Sequence, residues 1–164
     1  MTIARPEPRG YPGNLGLLFA EHARLDRTAI IDLRDPKRPL PATFRELDAG
    51  CDAVARGLMK AGLKPGDRAG ILSLNRAEFV MTLLGSMRAG VVPVPVNVKL
   101  PADGVAYILR DADARIVCAD ALSKRLVPAG MRIVEFGTEF ERFLDPGPFD
   151  SIQPRPDPVA IQPY

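Results

Sequence analysis

Side chains that could act as nucleophiles, bases or metal ligands form few recognisable arrangements in this chain of 164 residues. The single histidine, His22, has no second ligand or partner nucleophile at a usable spacing. Cys51 and Cys118 fall in a helical pattern and a strand pattern, where a free thiol usually packs as a small buried apolar group. The motifs of zinc proteases, serine hydrolases and P-loop nucleotidases are absent. The residues alone therefore predict no catalytic, cofactor-binding or metal site.

Acidic residues at the ends of predicted strands are the next candidates for chemistry. Asp111, Asp113 and Asp120 could suggest a cation, but their spacing matches no oxygen-ligand loop, so we interpret them as solvated turns. A dinucleotide fingerprint is also missing, because residues 73–78, which follow a predicted strand, contain no glycine. We therefore do not expect this chain to bind a nucleotide by itself.

Composition excludes several other classes of protein. The net charge is +2 and the charges are interspersed, so no basic stripe indicates a nucleic acid or a membrane surface as partner. The longest apolar run near the amino terminus, Leu15 to Ala20, is too short for a signal sequence or a membrane span, so we expect a cytoplasmic protein. An apolar content of 46% allows one substantial core without disulfides or metal.

The elements that would position these residues follow an α/β pattern. A capping box, Thr43 with Glu46, starts the strongest helix, whose apolar face contains Leu47, Cys51, Val54, Leu58 and Met59. Before it we predict a helix capped by Asn14 and an antiparallel hairpin from Thr28 onward. The predicted organisation is a flexible tail over residues 1–13, an α/β subdomain over 14–145, and a Pro-rich linker over 146–164 that leads into a truncated strand at Val159–Ile161.

The stretch from Gly66 to Asp120 alternates strand, helix, strand, helix, strand, which predicts parallel βαβ units. Pro and Gly at the second and third positions of residues 64–67 predict a type II turn into the first of these strands, and we expect Gly90, after the first helix, to adopt the left-handed conformation. Asn75 with Glu78 repeats the capping pattern before an apolar helix face that includes Leu83 and Leu84. The segment Val91–Val96 is continuously apolar, which is typical of a strand covered on both faces. The weaker signal after Asp120 predicts a short helix, a strand and a helical turn around Phe140.

Several segments in this order resemble the amino-terminal part of the large domain of acyl-CoA synthetases, which are adenylate-forming, AMP-binding enzymes. They are Arg27–Ile30, Thr43–Leu47, Lys64–Arg68, Leu72–Asn75 and Met87–Asn97, followed by Leu100–Pro101. The resemblance implies a ligase that activates a carboxylic acid, fatty or otherwise apolar, with ATP and Mg, and then transfers it to coenzyme A. It also implies that the phosphate loop and the other catalytic residues come after Tyr164. We interpret Asn97 as a loop amide that holds the exit of a strand.

Proteins with other functions share a similar amino-terminal half. The alternatives are another adenylate-forming enzyme, such as a carrier-protein loading domain or a luciferase-like oxidase, and a stand-alone domain that binds a protein partner. On the main interpretation the partners are the remainder of the large domain and a small carboxy-terminal domain, and the isolated chain is inactive. We also expect the chain to self-associate, because strands that are apolar on both faces need covering layers that it would supply only in part.

Overall fold

The computed structural model describes residues 13–153 and 159–164, so all but the last residue of the predicted tail lies outside the described part. The helices are α1 (Phe44–Lys60), α2 (Ala77–Arg88), α3 (Ala102–Asp111) and α4 (Thr138–Phe143). The strands are β1 (Thr28–Asp32), β2 (Leu40–Thr43), β3 (Arg68–Leu72), β4 (Val92–Pro95), β5 (Ala114–Ala119) and β6 (Ile133–Glu135). Short 3-10 turns occupy Leu15–Leu17, Ala20–His22 and Ser123–Leu126.

The predicted helix after Asn14 is wrong in type. Asn14 does act as an N-cap, since its side chain accepts a hydrogen bond from the Gly16 N–H, but the cap opens two 3-10 turns. The backbone of Gly16 is pressed against α2, where a Cβ on residue 16 would lie 2.5 Å from the carbonyl oxygen of Leu84. This close contact fixes the segment flat against α2, and Leu18 is left 47% exposed.

The hairpin and the helix after it confirm the sequence prediction. Strands β1 and β2 are antiparallel. The Glu46 N–H donates to Thr43 Oγ1 at 3.1 Å, and the Thr43 N–H donates to Glu46 Oε2 at 2.8 Å, so the capping box forms at the start of α1. Four of the five predicted apolar residues of α1 are buried, whereas Met59 lies at the rim with 36% of its surface exposed.

The other four strands form a parallel sheet in the order β4-β3-β5-β6. The turn into β3 has Gly66 at φ +93°, as the predicted type II turn requires, and the Asp67 N–H donates to the Lys64 carbonyl at 2.9 Å. Helix α2 ends before Gly90, which adopts φ +67°, the left-handed conformation expected after a helix. The predicted parallel βαβ units are therefore confirmed.

Apolar layers cover both faces of this sheet. One core cluster joins α1 to β3 and β5 through residues such as Leu58, Ile71 and Ile116, and the other joins α3 to the opposite face through residues such as Leu109 and Val94. The strand over Val91–Val96 is buried apart from Pro95, which is half-buried. The chain thus supplies the layers that we expected another molecule or a further segment to supply here.

The amino terminus of α2 differs from the prediction. Asn75 does not cap it: Arg76 is the N-cap residue and makes no side-chain cap. Instead Asp32, at the end of β1, accepts a hydrogen bond from the Ala77 N–H at 3.2 Å. Glu78 does not reach back to a cap but forms ion pairs with Arg76 and Arg34. The carboxylate of Asp32, on a strand distant in sequence, therefore caps the amino terminus of α2 in place of Asn75.

Residues beyond Phe143 do not form a further strand within the described part of the chain. Val159 and Ile161 are 61% and 37% exposed, so the strand predicted to open there is not observed. The Gln162 N–H does donate to the Pro93 carbonyl at 3.1 Å, but proline has no N–H to return a bond, and no ladder forms. The boundary between subdomain and linker at residue 145 stays a prediction.

Candidate functional site

Open parallel sheets usually bind ligands at one place, the crevice outside the carboxyl ends of the strands where the strand order reverses. Here β4 lies on one side of β3 and β5 lies on the other, so this crevice is between the loops that follow β3 and β5. Those loops begin at Ser73 and Asp120.

The carboxylate of Asp120 fills this crevice. Its Oδ2 accepts the Leu74 N–H at 3.0 Å, and its Oδ1 accepts the N–H groups of Leu122 at 3.0 Å and Ser123 at 2.7 Å. Burial acts to raise the pKa of Asp120, but these backbone hydrogen bonds outweigh it and the pKa is lowered below its ordinary value. The amides that could have held a phosphate are already bound to an anion that belongs to the protein.

This arrangement corrects the interpretation of Asp120 from the sequence. Asp120 is 8% exposed and fully hydrogen-bonded, so it is not part of a solvated turn. Asp113 is exposed in a turn, as predicted, whereas Asp111 is exposed but is the last residue of α3 and accepts a hydrogen bond from the Tyr164 hydroxyl. Among residues 13–153 and 159–164, no group of three His, Cys, Asp or Glu side chains could hold a metal ion.

A second depression, the β3/β4 cleft, lies between the loops that follow β3 and β4. It is open to solvent, has a volume of about 450 Å³, and is lined by Ser73–Asn75, Phe79, Pro95–Val98 and Pro163–Tyr164. Its walls are mostly apolar and its polar groups are side-chain amides and hydroxyls. Asn97 Oδ1 accepts the Lys99 N–H at 2.9 Å, which confirms Asn97 as a loop amide at the exit of a strand. The cleft holds no histidine, cysteine or carboxylate, so it offers no general base of those types.

The remaining candidate side chains have structural roles. His22 lies at the rim, with its ring centroid 5.4 Å from that of Phe44 and its Nε2 3.7 Å from the Glu21 carboxylate. Cys51 and Cys118 are free and fully buried, and burial raises the pKa of each thiol to about 12. A thiol with such a pKa is not a nucleophile near neutral pH.

The most connected polar side chain, Arg88 at the end of α2, was missed by the sequence analysis. It is 3% exposed, and its guanidinium donates to Asp48 Oδ1 and Asp52 Oδ1, each at 2.6 Å, and to the Gly16 carbonyl at 2.8 Å. The signal that could have found it is the pair of aspartates four residues apart on α1, which presents two carboxylates on one helix face.

The same node, which we call the Arg88 node, also holds the segment that follows α4. The Phe149 N–H donates to Asp52 Oδ2 at 3.2 Å, and the Ile152 N–H donates to the Arg88 carbonyl at 2.8 Å. Asn14 Nδ2 then donates to the carbonyls of Met87 and Ile152, each at 2.8 Å. The beginning and the end of the unit are therefore fastened to the same two helices.

Comparison with known proteins agrees with this architecture. The family model described as "AMP-binding enzyme" matches residues 19–157. A 3-hydroxybenzoate–CoA/4-hydroxybenzoate–CoA ligase of Thauera aromatica is 33% identical over 139 residues, which cover 74% of this chain and 27% of that protein. No helix in the described part of the chain is long and apolar enough to cross a membrane.

Two solved structures share the fold. A fatty acyl CoA synthetase of Mycobacterium tuberculosis has a TM-score of 0.77 at 22% identity, over 93% of this chain and 32% of that one. The N-terminal domain of FACL13 from the same organism has a TM-score of 0.76 at 22% identity, over 90% of this chain and 40% of that one. This chain belongs to the AMP-binding enzyme family, and its fold is that of the amino-terminal domain of acyl-CoA synthetases.

Proposed function

We propose that this chain is the amino-terminal scaffold of an adenylate-forming acid–CoA ligase and carries none of the residues that perform the chemistry. The observation that supports this most directly is Asp120, whose carboxylate fills the crevice where a sheet of this topology would hold a phosphate. Membership of the AMP-binding family supplies the reaction, and the filled crevice argues that it takes place on other parts of the protein.

The proposed reaction has two steps. A carboxylate attacks the α-phosphate of ATP to give an acyl-adenylate and pyrophosphate, and the thiol of coenzyme A then displaces AMP. The described residues contain no cluster of ligands for Mg²⁺, and the amides around Asp120 are already bound by its carboxylate. We therefore assign no step to a residue of this chain.

The acid substrate has two candidates. The sequence resemblance favours a fatty or other apolar acid, and the shared fold with a fatty acyl CoA synthetase is consistent with it. The hydroxybenzoate–CoA ligase of Thauera aromatica favours an aromatic acid instead. A carrier protein in place of coenzyme A as the acceptor remains the alternative for the second step.

The remaining parts of the proposal concern partners and location. The chain spans 27% of the hydroxybenzoate ligase and 32% of the fatty acyl CoA synthetase chain. We infer that its partners are the rest of a large domain and a small carboxy-terminal domain, and that the whole protein is cytoplasmic.

The test compares the 164-residue chain with a longer protein that contains it. We expect ATP–pyrophosphate exchange and thioester formation from the longer protein only, because positioning and charge stabilisation at the phosphates are needed for both steps. Exchange by the 164-residue chain above a buffer blank, in a preparation free of host synthetases, would overturn the scaffold assignment.

A substrate panel separates the candidates. The longer protein is assayed with hydroxybenzoates and with fatty acids of several lengths, each with coenzyme A and with a carrier protein as acceptor. A higher kcat/KM for one class identifies the acid, and adenylation without any thioester product would contradict the ligase proposal.

A further inference from the structure

Strand β4 is an edge strand with unusual backbone chemistry. Its inner side faces β3, where the Val92 N–H donates to the Asp67 carbonyl at 2.8 Å and the Val96 N–H donates to the Ile71 carbonyl at 2.9 Å. Because backbone groups along a strand point alternately to its two sides, the groups of Pro93 and Pro95 face the outer side.

The outer side of β4 therefore presents acceptors and no donors, since neither proline has an N–H. A normal edge strand offers both, and so it can pair with a second copy of itself. Two β4 edges would bring carbonyl oxygens against carbonyl oxygens with no hydrogen between them. Only a segment that supplies its own N–H groups can bind along this edge.

Such a segment is present in the same chain. The Gln162 N–H donates to the Pro93 carbonyl at 3.1 Å. The Gln162 side-chain amide donates to the Tyr164 hydroxyl, and that hydroxyl donates to Asp111 Oδ2 on α3, each at 2.6 Å. The segment is thus attached at two places, once to β4 and once to α3.

Docking of this segment also shapes the β3/β4 cleft. Pro163 and Tyr164 line the cleft together with Pro95 and Asn97. If the segment left the edge, one wall of the cleft would leave with it.

We propose that the outer edge of β4 is a docking edge selective for an extended segment that donates N–H groups, that residues 159–164 of this chain are its occupant, and that their docking completes the β3/β4 cleft. The selectivity comes from Pro93 and Pro95, which keep the edge from pairing with a second copy of β4. The proposal concerns the chain itself and does not depend on which acid the whole enzyme activates.

The first measurement uses the unmodified 164-residue chain. Amide hydrogen exchange followed by NMR, corrected for intrinsic rates, compares Gln162 with Ile161, whose N–H points away from β4 if the segment is extended. We expect exchange at Gln162 to be at least about tenfold slower than at Ile161. Equal corrected rates at the two residues would overturn the proposal.

The second measurement compares two proline variants and one alanine variant of the segment. Gln162→Pro removes the N–H donor to Pro93 together with the side-chain amide that hydrogen-bonds Tyr164. Gln162→Ala removes the same amide and keeps the N–H donor, and Ile161→Pro adds the ring at a neighbouring position and keeps both. The readout is the titration of Tyr164, whose pKa is raised because its hydroxyl donates to the Asp111 carboxylate.

We expect the Tyr164 pKa to return toward its ordinary value of about 10 in Gln162→Pro and to stay raised in Gln162→Ala and in Ile161→Pro. An equal change in both proline variants would assign the effect to chain stiffening and overturn the role of the donor. An unchanged pKa in Gln162→Pro would show that the edge contact does not hold the segment. If Gln162→Pro does not fold, the exchange rates of the unmodified chain decide the question alone.

Discussion

Arg88 is the side chain whose loss this unit should tolerate least. Its charge is removed from water and satisfied by Asp48, Asp52 and two backbone carbonyls. We predict that Arg88→Met lowers the free energy of unfolding by about 3–5 kcal/mol, because it leaves two partly buried carboxylates without their cation. Urea denaturation followed by circular dichroism measures the change.

Arg110→Met is the matched control, since Arg110 is an exposed arginine on α3. Surface changes of this kind usually alter stability by no more than about 0.5 kcal/mol. If the two variants had the same unfolding midpoint, the Arg88 node would not be a stabilising element. Arg88→Lys tests geometry separately, because a lysine keeps the charge but cannot bind two carboxylates with a planar fork.

Asp120 should make stability depend on pH. Its pKa is lowered in the folded state, so the folded protein binds this proton less readily than the unfolded chain. The contribution is fully present above about pH 4, the ordinary pKa of aspartate, and is lost as the pH falls through the folded-state value. We predict that Asp120→Asn costs about 1–3 kcal/mol at pH 7 and progressively less below pH 4.

Denaturant unfolding between pH 7 and pH 3 checks this prediction. Asp113→Asn serves as the control, because Asp113 is exposed and has φ +51°, a conformation that asparagine also tolerates. A difference between Asp120→Asn and the unmodified protein that stayed constant down to pH 3 would mean that the carboxylate is not the source of the stabilisation.

Alanine substitutions at two helical glycines distinguish the effect of close helix packing on stability from the effect of helix propensity. Gly85 on α2 faces α1, where an added Cβ would lie 2.6 Å from the Cys51 carbonyl oxygen. Gly104 on α3 has space, since its nearest neighbour would be 3.7 Å away. We predict that Gly85→Ala destabilises the protein by about 1–3 kcal/mol because the two helices must separate.

Gly104→Ala should instead stabilise the protein by about 0.5–1 kcal/mol, because alanine restricts the unfolded chain and favours the helix. Thermal and urea unfolding of the two variants gives the comparison. A stabilising or neutral effect of Gly85→Ala would show that α1 and α2 are not in the close contact described, and a destabilising effect of Gly104→Ala would contradict the open space at residue 104.

The sequence predicted correctly those elements whose conformation depends on residues that are close together in the chain. The capping box of α1, the turn at Gly66 and the left-handed Gly90 were predicted because each depends on a few neighbouring residues. The apolar run at Val91–Val96 likewise predicted a buried strand.

Contacts between distant segments could not be predicted in this way. The cap of α2 comes from Asp32, 45 residues away, and the amides around Asp120 are contributed by two separate loops. The 3-10 turns after Asn14 are set by the approach of Gly16 to α2. For the candidate site the sequence predicts no catalytic residue in this chain, and this stays a prediction that the exchange and thioester assays test.

At the scale of the whole molecule, self-association stays a prediction, but we now expect the hairpin to mediate it and not the strands of the parallel sheet. The core strands are covered by the chain itself, and β4 cannot pair with its own copy. The hairpin still exposes Ile31, Leu33 and Leu40 by 57%, 58% and 54%. We predict concentration-dependent association through this apolar hairpin.

Light scattering over a concentration series tests this, with the double variant Ile31→Lys and Leu33→Lys expected to reduce the average mass. Leu122→Lys is the control, since Leu122 is 72% exposed and lies after β5, outside the hairpin. Equal effects of the hairpin and the control substitutions would indicate non-specific association.

Within residues 14–152, the bond between Asn14 and Ile152 places the two ends at almost the same point. Residues 159–164 lie beyond this point and contact β4. A domain with adjacent ends can be reordered or inserted into another protein with little loss of contacts. A circular permutant, with residue 152 joined to residue 14 by a short Gly/Ser linker and new ends in the exposed hairpin turn over residues 34–39, should keep the parallel sheet and its strand order. Retention of the sheet in this permutant would show that the order of the elements along the chain is separable from their arrangement in space, and loss of the sheet would contradict it.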